Sequence, residues 1–258
     1  MPDHLKKFAR DAWRRLGQGY YRFPRGRLRA TLSLTKAVRD HRGKAVIAEV
    51  KPRSPSRGNL LSGRSPGEVA RLYQAGGAVG ISVLADPDHF GGSLELLRRF
   101  AGLRLPLLAK DFVVAEEQLK AFRNAGADCV LLIQPLFARG YASCELREMI
   151  RAAHSYGLEV LVEVWDAPGL REALESEADL IGINSRDLTT LEVDIQRPIR
   201  VLREVAPRHT RPILALSGIS SSADIRALRE AGFSGFLVGT ALLTAEDPRA
   251  KLEELIRA

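Results

Sequence analysis

Cysteine is scarce: Cys129 and Cys144 are the only two in 258 residues. Two thiols cannot build a disulfide framework, so a reduced, cytoplasmic protein is expected. Cys129 falls in an apolar run and reads as strand, Cys144 as helix, both as packing residues. Histidine is sparse as well. The five lie at positions 4, 41, 89, 154 and 209, with no pair at metal-ligand spacing, so no metal is expected. Long apolar runs are missing. Stretches such as Cys129–Ile133 fall far short of the roughly 18 residues of a transmembrane helix. No apolar stretch follows Met1–Lys7, which argues against a secretory signal. There is no Ser/Pro-rich linker and no low-complexity tract, so nothing marks a second domain.

Apolar residues make up 45% and charged residues 27%, an ordinary globular balance. Lys and Arg total 39 against 31 Asp and Glu, a formal charge of +8. Such an excess invites a nucleic-acid partner. Its distribution argues otherwise. Residues 1–44 hold 13 Lys and Arg and three Asp, a net of +10, which leaves −2 for the other 214 residues. The basic character belongs to an N-terminal extension, 1–44, on a nearly neutral body, 45–258. Trp13, Tyr20 and Tyr21 could stack on bases or pack the extension on the body. The second reading is favoured, and neither nucleic acid nor membrane is expected as a partner.

The body repeats one unit, a β-branched apolar run followed by a turn and a helical spacing. Strands are expected at Ala45–Val50, Val79–Ala85, Pro106–Lys110, Asp128–Ile133, Leu158–Val164, Leu180–Asn184, Pro212–Leu216 and Gly235–Gly239. The intervals fit one helix each, hence right-handed βα crossovers and a parallel sheet. Ser65-Pro66-x-Glu68 reads as a capped helix start, as do Ser93 and Ser221 or Ser222. Eight such units predict an α/β fold, a closed (β/α)8 TIM barrel with an N-terminal helical extension. An open doubly wound sheet competes, but it usually carries a glycine-rich turn after its first strand. Here that turn reads Lys51-Pro52-Arg53-Ser54-Pro55-Ser56, and the barrel is favoured.

Active sites of parallel barrels lie at the C-terminal ends of the strands. There the sequence places Glu49 and Lys51, then Lys110-Asp111, Glu163, Asn184-Ser185-Arg186-Asp187, Ser217-Gly218 and Gly239-Thr240. A lone glutamate in such a run is often an inward barrel charge paired with a lysine. Several ionisable groups at one mouth are costly unless they pair or line a cleft, and together they mark a candidate site. Glycine-bearing turns after strands seven and eight suit a phosphate, because backbone can approach it closely.

These residues resemble the indole-3-glycerol phosphate synthase family. The resemblance rests on IAEVKPRSPSRGNL (47–60), GISVLADPDHFGGS (80–93), PLLAKDF (106–112), GADCVLLI (126–133), LEVLVEVWD (158–166), GINSRDLTTLEVD (182–194), SGI (217–219) and LVGTALL (237–243). It implies a lyase of tryptophan biosynthesis. That enzyme converts 1-(2-carboxyphenylamino)-1-deoxyribulose 5-phosphate to indole-3-glycerol phosphate, with loss of CO2 and water. It implies Glu49, Lys51, Lys110, Glu163, Asn184 and Ser217 as catalytic residues, with Lys110 the acid at the ketone oxygen. Lys51 would pair with the substrate carboxylate. Phe90, Phe112, Leu131, Leu191 and Leu216 would contact the substrate, as would Arg186, close by the phosphate. Ser54, Gly218, Gly239 and Thr240 would cradle the phosphate. No cofactor is implied, the partner is an anionic phosphorylated small molecule, and a monomer is expected. The family carries Glu-Ser-Gly on strand seven, whereas this chain reads Leu216-Ser217-Gly218. The alternatives are therefore a variant of altered activity, or another sugar-phosphate barrel enzyme.

Overall fold

A computed structural model describes residues 3–26, 29–41, 43–54, 58–187, 190–205 and 210–258. Eight parallel strands close into a barrel. They are β1 (Ala45–Val50), β2 (Gly80–Leu84), β3 (Leu107–Lys110), β4 (Cys129–Ile133), β5 (Glu159–Val164), β6 (Leu180–Asn184), β7 (Ile213–Leu216) and β8 (Gly235–Val238). Each strand pairs with its sequence neighbours, and β1 closes the ring by pairing with both β2 and β8. Nearly every strand residue is buried, as expected of a sheet covered outside by helices and filled inside by its own side chains. The observed strands start or stop within a residue of the expected ones, where ladders fray.

Local signals explain the helices. Ser65 accepts from the Glu68 N–H and Glu68 accepts from the Ser65 N–H, a capping box that starts helix Pro66–Ala75. Ser93 caps Leu94–Phe100 and Ser221 caps Ser222–Glu230. Two features escape the sequence reading. Helix Gln134–Ala138 follows β4 with no loop, and Arg53–Ser54 pairs with Gly58–Asn59 as a small antiparallel hairpin above β1. One expectation is corrected. Cys144 lies in the bend before helix Leu146–Ser155, which begins only after the N-cap Glu145.

The chain before β1 grips both ends of the barrel. Helix His4–Gly17, capped by Asp3, lies at the C-terminal ends of the strands. Arg15 reaches Asp86 at 3.1 Å and Asp111 at 3.0 Å, just beyond β2 and β3. Tyr20 donates to the Ala85 carbonyl at 2.9 Å, and Tyr21 to Asp111 at 2.7 Å. Trp13 donates its indole N–H to the Tyr141 carbonyl while staying 43% exposed. Helix Leu34–Asp40 lies at the opposite end, where strands begin. Arg29 pairs with Asp128 before β4, and the Thr35 N–H donates to Glu159 at the start of β5. Arg14, Arg15 and Arg29 thus spend their charge on docking to aspartates of the body.

Candidate active site

Strand alternation decides which side chains point into the mouth. Glu49 and Lys51 are two residues apart at the end of β1, so they share a face. Lys51 Nζ lies 2.8 Å from Glu49 Oε1. On β3, Lys110 directs Nζ to within 3.5 Å of Glu163 Oε2 on β5. On β6, Asn184 donates Nδ2–H to Glu163 Oε1 at 2.8 Å, and its Oδ1 accepts the Arg186 N–H at 2.8 Å. Two lysine–glutamate pairs thus come from β1, β3 and β5, and the Asn184 amide on β6 anchors the glutamate of the second. Glu163 is fully buried, and among the described residues its Oε2 accepts no hydrogen bond. A buried acceptor without a hydrogen bond is costly unless it meets a donor, and the Lys110 ammonium at 3.5 Å is the group placed to supply one.

Electrostatics fixes the state of the first pair. Burial alone would push the Glu49 carboxyl up. The nearby Lys51 and Lys110 charges, the Lys51 hydrogen bond and Arg186 outweigh it and hold Glu49 below the usual carboxylate range. At neutral pH Glu49 is a carboxylate that can accept a proton. It has room only because residue 239 is glycine. A Cβ there would come within 2.7 Å of Glu49 Oε1 and 3.0 Å of Glu49 Cβ.

A cavity of about 550 Å³ opens beside Glu49 and Lys51, a size suited to a small-molecule ligand. Glu49, Lys51, Ser54, Phe90, Arg186 and Leu191 line it, together with Ser217, Gly218, Gly239 and Thr240. The other proposed residues stand just outside its wall. Phe112 stacks on Phe8 with ring centroids 4.4 Å apart, and Phe90 lies 6.3 Å from Phe112. Leu131 is fully buried within β4. Leu216 is buried at the end of β7, in register with Asn184, and packs over Gly182, where a Cβ would meet Leu216 Cδ1 at 2.5 Å. Lys110, Glu163 and Asn184 likewise lie off the cavity wall, the last two wholly or almost wholly buried. Pro55, Ser56 and Leu188 of the sequence signatures lie outside the described residues.

Backbone strain gathers at the same place. Among the described residues, three non-glycine residues have left-handed φ, and two of them, Leu191 at 67° and Ser217 at 65°, line the cavity. Each such residue costs on the order of 1–3 kcal/mol, and such strain tends to persist at functional sites. Gly218 continues the left-handed turn at φ 77°. The loop after β1 is tied over the one after β2: the Arg53 N–H donates to the Phe90 carbonyl at 3.0 Å, which sets Phe90 on the rim.

Several lining residues were not foreseen. Phe8, Val193, Ser220, Thr244 and Lys251 also face the cavity. Phe8 arrives on helix His4–Gly17, through contacts that no local pattern reveals. Among the described residues no group of three His, Cys, Asp or Glu side chains is placed to hold a metal ion. No helix among them is long and apolar enough to cross a membrane.

Comparison with known proteins bears on the same chemistry. Residues 18–255 match the indole-3-glycerol phosphate synthase family. A relative of that name from Aquifex aeolicus is 41% identical over 215 residues, covering 83% of this chain and 82% of the relative. One from Thermococcus kodakarensis is 40% identical over 227 residues, covering 86% and 96%. Among solved structures, a thiamine phosphate pyrophosphorylase from Pyrococcus furiosus superposes with a TM-score of 0.61 at 20% identity, over 84% of this chain and 96% of that one. A 3-hexulose-6-phosphate synthase from Salmonella typhimurium gives 0.62 at 16% identity, over 83% and 97%. Those two share the barrel fold.

Proposed function

The chain belongs to the indole-3-glycerol phosphate synthase family, and from that premise we propose how its own residues carry the family's decarboxylating ring closure. The observation that carries the proposal is the pair of lysine–glutamate contacts, Lys51–Glu49 and Lys110–Glu163, at one barrel mouth. The substrate is 1-(2-carboxyphenylamino)-1-deoxyribulose 5-phosphate.

In the first step the aromatic carbon bearing the carboxylate attacks the ketone carbon, and a C–C bond forms. The ketone oxygen needs a proton as it takes the electron pair. Lys110 Nζ supplies it, held in place by Glu163. The carbon–carboxylate bond then breaks, CO2 leaves, and its electron pair restores the aromatic ring. In the last step the new hydroxyl leaves as water, and the adjacent methylene loses a proton to form the indole double bond. Glu49 is a carboxylate and suits proton acceptance, with Lys51 beside it to assist the leaving oxygen. Lys51 first pairs with the substrate carboxylate. Asn184, fixed by Glu163, orients substrate oxygens.

The phosphate lies against Ser54, Gly218, Gly239 and Thr240, with the Ser217 turn aiming backbone toward it. Phe8, Phe90 and Leu191 wall the aromatic ring, Phe112 backs Phe8, and Leu131 and Leu216 are buried in the barrel behind that wall. Residues 1–44 form an extension on a single-domain barrel, 45–258, that works as a cytoplasmic monomer. The test is direct. Incubation with the carboxyphenylamino substrate should give rising indole fluorescence and one CO2 per turnover. No product at saturating substrate overturns the proposal.

A further inference from the structure

The C-terminal helix sends a lysine to the phosphate side of the cavity. Helix Pro248–Arg257 buries Leu252 and Leu255 against the barrel. Asp247 caps its start, accepting from the Arg249 and Ala250 N–H groups. The turn before it is clamped by the loop that leads into the neighbouring helix Pro66–Ala75. Arg64 donates to the Ala245 carbonyl at 3.1 Å and to the Glu246 carbonyl at 2.6 Å. With the helix so fixed, Lys251 lines the cavity beside Thr240, Thr244 and Ser220, on the rim that follows β7 and β8.

Charge balance makes the position informative. Among the described residues, the charged side chains lining the cavity are Lys51, Arg186 and Lys251 against one carboxylate, Glu49. Lys51 is held by Glu49 at 2.8 Å, and Arg186 donates to the Leu191 carbonyl at 2.8 Å. Lys251 is held differently. Its Nζ lies 2.9 and 3.0 Å from the two oxygens of Glu254, outside the cavity lining. Ser222 donates to Glu254 at 2.9 Å and keeps that carboxylate in place. An ammonium has three donors, so Glu254 can engage two and leave the third to an anion in the cavity. A side chain 24% exposed can rotate that donor inward with little loss of packing.

We propose that Lys251 is a binding residue for the substrate's phosphate group, set on the rim by the C-terminal helix and oriented by Glu254. The inference rests on the functional reading above for the identity of the substrate. The site itself is an anion site, and inorganic phosphate probes it without turnover.

The test uses the full chain and two variants, Lys251→Met and Lys251→Arg. Inorganic phosphate affinity is measured by calorimetry, and KM and kcat with the carboxyphenylamino substrate. An ion pair at this exposure corresponds to a loss of about fivefold. Lys251→Met should weaken inorganic phosphate and raise KM by that factor together, with a much smaller change in kcat. Lys251→Arg should restore both. An unchanged unfolding midpoint shows that the methionine variant is folded. Wild-type phosphate affinity and KM in Lys251→Met overturn the inference even if the wild type makes the indole product. A wild type that makes no indole product, but whose phosphate affinity falls in Lys251→Met, overturns the functional reading and supports the anion site.

Discussion

Arg15 is the residue whose loss should reach furthest from its own position. Its guanidinium is almost fully buried and contacts Asp86, Asp88 and Asp111, with Tyr21 as a further partner. Burial alone would push it toward neutrality, and Asp111, Tyr21 and Asp86 outweigh that. Arg15→Met leaves two buried carboxylates without their cation, a change that costs about 3–5 kcal/mol. That is a large part of a stability of about 5–15 kcal/mol. The cheaper response is local: helix His4–Gly17 undocks and lets water reach Asp86 and Asp111. Amide exchange in that helix should accelerate by about two to four orders of magnitude, while the barrel strands stay protected. KM should rise, since Phe8 leaves the rim with the helix.

The cost should also depend on pH. Burial raises the Asp111 carboxyl to about 6 even with Arg15 opposing it. Without Arg15 the docked state keeps that proton to higher pH, while a chain whose helix has undocked or unfolded has already released it. The variant therefore loses stability relative to wild type as pH rises above 6, by up to about 1.4 kcal/mol per pH unit. Exchange and urea unfolding at several pH values measure both effects. A cost below about 1 kcal/mol, equal at either end of the pH range, would show that Arg15 does not hold the helix through Asp86 and Asp111.

Two further outcomes are expected. Leu216→Glu places a third carboxylate in register with Asn184, at a mouth where Lys51, Lys110 and Arg186 outnumber Glu49 and Glu163. Turnover should rise several-fold while unfolding stability falls by about 1–3 kcal/mol; an unchanged or lower kcat shows a site adapted to leucine. Glu49 has a folded pKa below its ordinary 4.5. Its ionisation therefore contributes stability that is present above pH 4.5 and is lost as pH falls through the folded value. Acid titration of unfolding should show the gap between wild type and Glu49→Gln closing over that window. A gap independent of pH contradicts the assignment.

The barrel was legible because each strand is a short apolar run that ends in a polar or glycine-bearing turn. Glu49, Lys51, Lys110, Glu163 and Asn184 were legible because strand ends in a closed barrel converge. What escaped depends on distant chain. Phe8 reads as one face of a basic helix until Arg15 docks that helix on Asp86 and Asp111. Arg15 itself looks like any surface cation in an arm carrying +10. Lys251 has the spacing of a solvated Lys–Glu pair, and only the closure of β8 onto β1 brings its helix to the mouth. Gly239 was readable as a phosphate turn, but the room it leaves for Glu49 comes from packing across two strands. Gln134–Ala138 escaped because no turn separates it from β4.

In the proposed mechanism Lys110 protonates the ketone oxygen during ring closure. This step is tested by single-turnover indole fluorescence on wild type and Lys110→Ala, with the carboxyphenylamino substrate saturating. Removal of a positioned general acid costs on the order of 10³-fold. Wild type should give product, and the variant should show a loss of that size with binding largely retained. Ring closure at near wild-type rate in Lys110→Ala would contradict it.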